Sequence, residues 1–512
     1  MHIYVIVAFA LLFWESESPL SWRVLPSDGL IGTLAVVIGG TVLLTTIAWV
    51  CAFRARRMFR RQGDGVPRAI EFHHRSTFAL RNAITAWFAV TVLLTPWADW
   101  FDSSATSPWL QIFGDLAVLS PFMVQCVLLW LIAFPLERCF REGDDPSISA
   151  PSTPWRLSSY LDFNIRHHLL VVAVPMTLIL FASNVSRGYE RELRRLIGIV
   201  WAPDLALGVV AGAVFLIAPM LLRRIWRTTP LPAGPLRERL ELLCERIGLR
   251  CRDILIWKSD GLMINAAVMG VVPVVRYVLL SDALLASMTT RQVEAVFGHE
   301  AGHVRHRHIQ HFLVFAFVGW VAVAGLMEML ARGSMENGGA WAISFVAIEG
   351  VGIAATIAFW TLGFGWVSRR FERQADLYGA RCVTPEPAEC DRPCGVHLDD
   401  LQTSPVDGRI CATAASVFAS ALHRVAALNG IPTEERSWRH SSIASRIRFL
   451  TSVAGDPARA RAFERSVRRV KAVLVTIALA GAIATVAYWR AVPRPALFRI
   501  QTNVAASQLL PS

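Results

Sequence analysis

The residues with the clearest capacity for chemistry are His299, Glu300 and His303, which stand in the order His-Glu-Ala-Gly-His. Residues four apart lie about 40° from each other around a helix, so on a helix the two imidazoles can face one ion. Both would ligate zinc. Glu300, turned about 100° from His299, is poorly placed to join them but well placed to take a proton from a water on that ion. Zinc lowers the pKa of such a water towards about 7 and polarises a scissile carbonyl, and Glu300 would return the proton to the leaving amine. The pattern points to metal-assisted peptide hydrolysis.

A catalytic zinc needs a third protein ligand and one open position. The metzincin continuation would place glycine at position 306 and histidine at 309, where this chain has His306 and Ile309, so a later carboxylate is required. Glu372 and Asp376, four apart on an expected helix just after an apolar stretch, are the candidates. Glu372 could ligate the ion while Asp376 orients a ligating histidine. His306, His308 and His311 extend the histidine run and read first as polar residues beside the membrane.

Helical context for the motif comes from Thr289 and Gln292, which have capping-box spacing, and from the apolar face of Val293, Val296 and Phe297. Upstream, residues 236–247 have helical spacing, 253–257 read as a short strand, and 271–280 as a strand or hairpin.

These segments are set in a chain too apolar to be a purely soluble enzyme. Of 512 residues 54% are hydrophobic and only 18% charged, with a mean hydropathy of +0.44. Stretches long enough to cross a bilayer run over 30–53, 83–98, 110–136, 169–184, 205–222, 312–331, 341–366 and 472–489. The apolar segment Ile3–Trp14 is a poor signal peptide and a candidate for a short further span. The net charge of +12 is explained by basic residues at span ends rather than by nucleic-acid binding. Arginine clusters at 54–61 and at 223–227 put those loops on the cytoplasmic side, and the arginines of 187–195 fit only as an amphipathic surface helix. Lysine occurs only at Lys258 and Lys471, an arginine bias that fits a bacterium with a GC-rich genome. The nine cysteines are scattered and read as reduced thiols.

The expected organisation is a membrane region over 1–222, a cytoplasmic protease part with the HExxH helix over 223–311, and a membrane hairpin over 312–366. A second cytoplasmic part with the third ligand follows over 367–470, then a last span and tail over 471–512. An insert from Cys382 to Cys411, with Cys390, Cys394 and His397, reads as a surface insertion.

The His299-Glu300-x-x-His303 motif, the downstream Glu372-x-x-x-Asp376 and their placement around a membrane hairpin resemble the gluzincin family of HtpX and the type I CAAX prenyl proteases. The resemblance covers residues 228–450. It implies an α-helical polytopic membrane protein with a cytoplasmic α+β zincin-like metalloprotease domain and one zinc ion held by His299, His303 and Glu372. By the same resemblance Asn265 and Ala266 match the Asn-Ala element beside a substrate-binding edge strand. His440 would stabilise an oxyanion, and Arg446 would hold Asp376 or its neighbours. Ser441 and Ser442 depart from the family, which usually has prolines there.

The expected function is a membrane zinc metalloendopeptidase acting on membrane-associated or misfolded polypeptides at the cytoplasmic face of a bacterial inner membrane. Its partners would be polypeptide substrates and the lipid bilayer, with no nucleic acid. A CAAX-type protease for lipid-modified substrates is the alternative. A site-2-type intramembrane protease is disfavoured because Arg291, Arg305 and Arg307 bracket the motif outside a span. A transporter or receptor leaves the motif unexplained.

Overall fold

The apolar stretches fold as helices. The computed structural model describes residues 1–17, 24–25, 29–60, 65–102, 107–141, 156–198, 202–260, 263–336, 345–383, 410, 412–429, 431–435, 439–454 and 456–491. Cys390, Cys394 and His397 lie outside these residues. Contacts divide the chain into two units, Met1–Arg227 and Thr228–Ser512.

Among the described residues of the first unit, five helices are long and apolar enough to cross a membrane: Leu30–Phe59, Val66–Leu94, Gln111–Phe140, Leu157–Gly188 and Ala202–Ile225. The N-terminal helix His2–Glu17 has 16 residues, about 24 Å of helix, which is short of a hydrocarbon core of about 30 Å. It buries Val5, Phe9 and Leu12 in one cluster with Phe88, Leu119 and Phe122 of the spans. The arginines of 187–195 fall largely on a short helix, Glu190–Ile197, whose first turn is acidic and last turn basic, ended by Gly198 at φ 73°.

The second unit combines three further candidate spans, His308–Met335, Ala347–Cys382 and Pro457–Tyr488, with a small mixed sheet. Together the eight make the chain a helical, polytopic integral membrane protein. The sheet holds β1 (Thr228–Pro230), β2 (Asp253–Trp257), β3 (Ala266–Met269) and β4 (Tyr277–Ser281) in the order β1-β2-β4-β3. β2 and β4 are parallel, and β1 and β3 flank them antiparallel. Between β1 and β2 runs α1 (Pro235–Ile247), closed by Gly248 in the left-handed region.

Residues 271–280, read from the sequence as a strand or hairpin, hold one strand only at their end: β4 is buried along its whole length between β2 and β3, and the open edge, where a peptide could add, belongs to β3 rather than to 271–280. Gly270 at φ 98° turns the chain where a Cβ would meet Val275 O at 2.3 Å, and Pro273 then opens a 3-10 turn. The Arg276 guanidinium holds this loop by donating to the carbonyls of Gly270, Val271 and Arg250.

The helices that carry the motifs follow: α2 (Thr290–Arg305), α3 (His308–Glu336), α4 (Gly365–Cys382), α5 (Ala412–Leu428), α6 (Ile443–Val453) and α7 (Pro457–Ala491). The capping box forms as expected, with Thr289 and Gln292 bonding reciprocally across the first turn of α2. Val293, Phe297 and Ala301 of α2 bury against Val278 and Leu280 of β4, which seats the motif helix on the sheet. α4 continues the returning limb of the membrane hairpin, and its apolar character gives way to polar residues within two turns. α7 has 35 residues, about 52 Å, so a long basic part precedes its apolar span.

Candidate metal centre and active site

α2 and α4 approach so closely that side chains are excluded between them. A Cβ at Gly298 would meet Cys382 Cβ at 2.5 Å, and one at Gly379 would meet Ala295 O at 2.8 Å and His299 N at 2.9 Å. Glycines at these positions let the two backbones nearly touch, which carries Glu372 up to the two histidines.

One donor atom each from His299, His303 and Glu372 falls within a cluster no more than 4.8 Å across. The two imidazole Nε2 atoms are 3.3 Å apart, and each lies 3.8 Å from an oxygen of Glu372. Two nitrogens bound about 2.05 Å from a tetrahedral zinc stand about 3.3 Å apart, so the spacing fits such an ion. The outer nitrogens of both rings are engaged elsewhere. His299 Nδ1 faces Asp376 Oδ1 at 2.9 Å, and His303 Nδ1 faces His308 Nδ1 at 3.0 Å. With each ring's proton on Nδ1, both Nε2 lone pairs would face the same point beside the Glu372 carboxylate, the arrangement that a bound cation requires.

Asp376 is fully buried and accepts a two-pronged hydrogen bond from Arg446 on α6, with Nε to Oδ2 at 2.8 Å. His440, on the loop before α6, sets Nδ1 3.1 Å from Glu372 Oε2, and Arg446 reaches within 4.0 Å of the same oxygen. Ser442 caps α6 by accepting from Ser445 N, so the chain that lacks prolines here still forms a defined helix start.

Glu300 turns to the other side of the histidine pair. Its Oε2 accepts from the backbone N–H of Val268 at 3.2 Å, on the open edge of β3. Asn265 and Ala266 open that strand: the Asn265 side chain accepts from Ala266 N at 3.0 Å, and Asn265 N donates to Ser281 Oγ. Seven of the nine candidate residues thus gather around α2, α4 and the start of α6, and Glu300 ties that cluster to β3, the strand that Asn265 and Ala266 open.

Burial and charge tune the groups that stand clear of the spans. Burial raises the Glu300 carboxyl to about 7, partly offset by His299. Burial and the neighbouring His299 depress His303 to about 4, so its ring is neutral near pH 7. Burial pushes His299 down, but Asp376 outweighs it and holds the imidazole above its usual range. A neutral imidazole, an anionic partner for the second and a raised carboxyl are what ligand and base require.

Four residues that touch the site or its ligands escaped the sequence. Val268 acts through its backbone, which no side chain betrays. His308 stood in the histidine run, Gln374 between Glu372 and Asp376, and Lys471 as one of two lysines, but no spacing related them to one another.

Residues 230–450 match the family model described as Peptidase family M48. A protease HtpX homolog of Pyrobaculum islandicum is 28% identical over 210 residues, covering 37% of this chain and 58% of that protein. CAAX prenyl protease 1 of Saccharomyces cerevisiae is 27% identical over 138 residues, covering 26% of this chain and 30% of that protein. A crystal structure of S. mikatae Ste24p aligns with 82% of this chain and 98% of that one, at 15% identity and a TM-score of 0.48. The chain spans little more than half the length of the HtpX homologs it matches. Residues 230–450, which hold every candidate site residue, are thus similar to Peptidase family M48 and to relatives named HtpX and CAAX prenyl protease.

Proposed function

We propose that this protein is an integral membrane zinc metalloendopeptidase that cuts membrane-associated or misfolded polypeptides. The observation that carries the reading is the pair of bare imidazole nitrogens 3.3 Å apart with Glu372 beside them. In this reading His299, His303 and Glu372 hold the ion, which supplies Lewis acidity to a water and to the scissile carbonyl. The chain's own residues do the rest. Glu300 takes the water's proton at its carboxylate and delivers it to the leaving amine. Asp376, gripped by Arg446, keeps His299 in place. His440, half-exposed above the ligands, donates to the developing oxyanion. Asn265 and Ala266 lead into the open edge of β3, where a peptide adds as a further strand read mainly through its backbone.

The five-part organisation given above, a cytoplasmic site and a bacterial inner membrane complete the proposal, on the strength of the arginine-rich loops. The similarity to CAAX prenyl protease 1 favours a second reading, in which the peptide is lipid-modified. The deciding experiment is cleavage of an unfolded, unprenylated protein by detergent-purified wild type and by Glu300→Gln, with zinc measured in both. Cleavage by wild type alone, with zinc in both, supports the general endopeptidase. Zinc without cleavage directs the search to lipidated substrates, and absence of zinc from the wild type refutes the metal reading.

A further inference from the structure

His303 is the start of a largely buried chain of polar groups that ends on α7 at Lys471, where the basic part of that helix gives way to its apolar span. His303 Nδ1 lies 3.0 Å from His308 Nδ1, His308 Nε2 lies 3.0 Å from Gln374 Oε1, and Lys471 Nζ donates to that same oxygen at 2.9 Å. Lys471 also donates to the carbonyl of His306 at 2.8 Å. His308 is completely buried and stacked on Phe371, with centroids 4.3 Å apart and rings 6° from parallel. The ammonium sits 4.9 Å from the centroid of the same Phe371 ring.

Only one arrangement of protons satisfies this chain. A lysine ammonium has donors and no acceptor, so it requires the oxygen of Gln374 rather than its NH₂. That oxygen, held towards Lys471, can only accept from His308, which places the His308 proton on Nε2. A neutral His308 then presents a lone pair at Nδ1, and His303 must donate to it from its own Nδ1. The proton of His303 is thereby kept off Nε2, the atom that faces His299. Reversal would put an N–H into the ligand cluster, and a turned Gln374 would set its NH₂ against the ammonium.

We infer that Lys471, Gln374 and His308 are positioning residues that fix the tautomer and orientation of His303 for metal binding, so that the last span sets one ligand of the site. The inference rests on the zinc reading above. It gives the two histidines separate supports: a carboxylate and arginine behind His299, a histidine, an amide and a membrane-helix lysine behind His303. Lysine suits the role because its slender stem delivers compact, freely rotating donors to two oxygens at once.

The test is the zinc dissociation constant of detergent-purified full-length protein, measured by competition with a chromophoric chelator. Lys471→Met and Gln374→Leu should each weaken zinc binding by about tenfold or more. The double variant should lose no more than the worse single one, because both break one chain. Gln374→Glu keeps acceptors for His308 and Lys471 and adds no donor, so it should bind as the wild type does. Undiminished affinity in folded Lys471→Met and Gln374→Leu overturns the inference, as do losses that add in the double variant. If Lys471→Met fails to fold, the contrast of Gln374→Leu with Gln374→Glu decides alone, and equal affinity in those two overturns it. A wild type without stoichiometric zinc brings down the metal reading and this inference with it, a result separate from wild type and variants binding alike.

Discussion

The backbone N–H of Val268, on the open edge of β3, donates to the Glu300 carboxylate at 3.2 Å. In an antiparallel pair alternate residues direct their N–H groups away from the partner strand, so the edge that would receive a peptide also steadies the proposed base. Val268→Pro removes that donor without costing a ladder bond, since proline is tolerated on an edge strand. Misplacing the base should lower kcat/KM by about 10²-fold with zinc content unchanged. Unaltered turnover of a peptide substrate would show that the N–H does not matter.

The raised Glu300 carboxyl makes a statement about metal-free protein. Its value of about 7 against an ordinary 4.5 means that the folded state holds its proton more tightly than the unfolded state. That stability is present below pH 4.5 and is lost as pH rises to about 7, by about 3 kcal/mol from this group. Glu300→Gln cannot ionise, so the metal-free variant should have a higher Tm than metal-free wild type at pH 7.5, with the difference shrinking towards pH 5. Parallel Tm curves would contradict the assignment.

Gly379→Ala tests the close approach of α2 and α4. The added methyl meets backbone at Ala295 and His299 and the ring of Phe418, and none of the backbone can rotate away. Expected is a loss of about 1–3 kcal/mol of stability together with weaker zinc binding, because Glu372 is pushed from the histidines. A variant with wild-type Tm and wild-type zinc affinity would mean that the helices have slack the structure does not display.

Arg446 answers the buried charge of Asp376, so Arg446→Met leaves a carboxylate in a dry site. The single variant should lose about 3–5 kcal/mol, and Asp376→Ala combined with Arg446→Met should be more stable than Arg446→Met alone. Both should bind zinc more weakly than wild type, since His299 loses its support. Thermal unfolding and chelator competition on the three proteins check this.

Metal removal has its own signature. A chelator should lower the Tm of wild type, by mass action, and zinc should restore it. Glu372→Gln should bind zinc more weakly and show a smaller shift. A full shift in that variant would remove Glu372 from the ligand set.

The sequence by itself determined what depends on short-range periodicity and composition. Histidines four apart meet on one face of any helix, and Thr289 with Gln292 announces where that helix begins. The spans follow from apolar runs, and residues 253–257 read as the strand they form. What it left open depends on contacts between distant segments. β4 became central and β3 the edge because Gly270 and Pro273 break the apolar run, and because β2 pairs with β4 over a crossover whose register no local pattern encodes. The supports of the two histidines lie farther still: Asp376 and Arg446 meet 70 residues apart, and Lys471 and Gln374 meet 97 apart. A lysine at the start of an apolar span looks, in sequence, like any anchor at a membrane surface. Only tertiary packing, which excludes water and forces each buried donor to find an acceptor, links it to the candidate metal site.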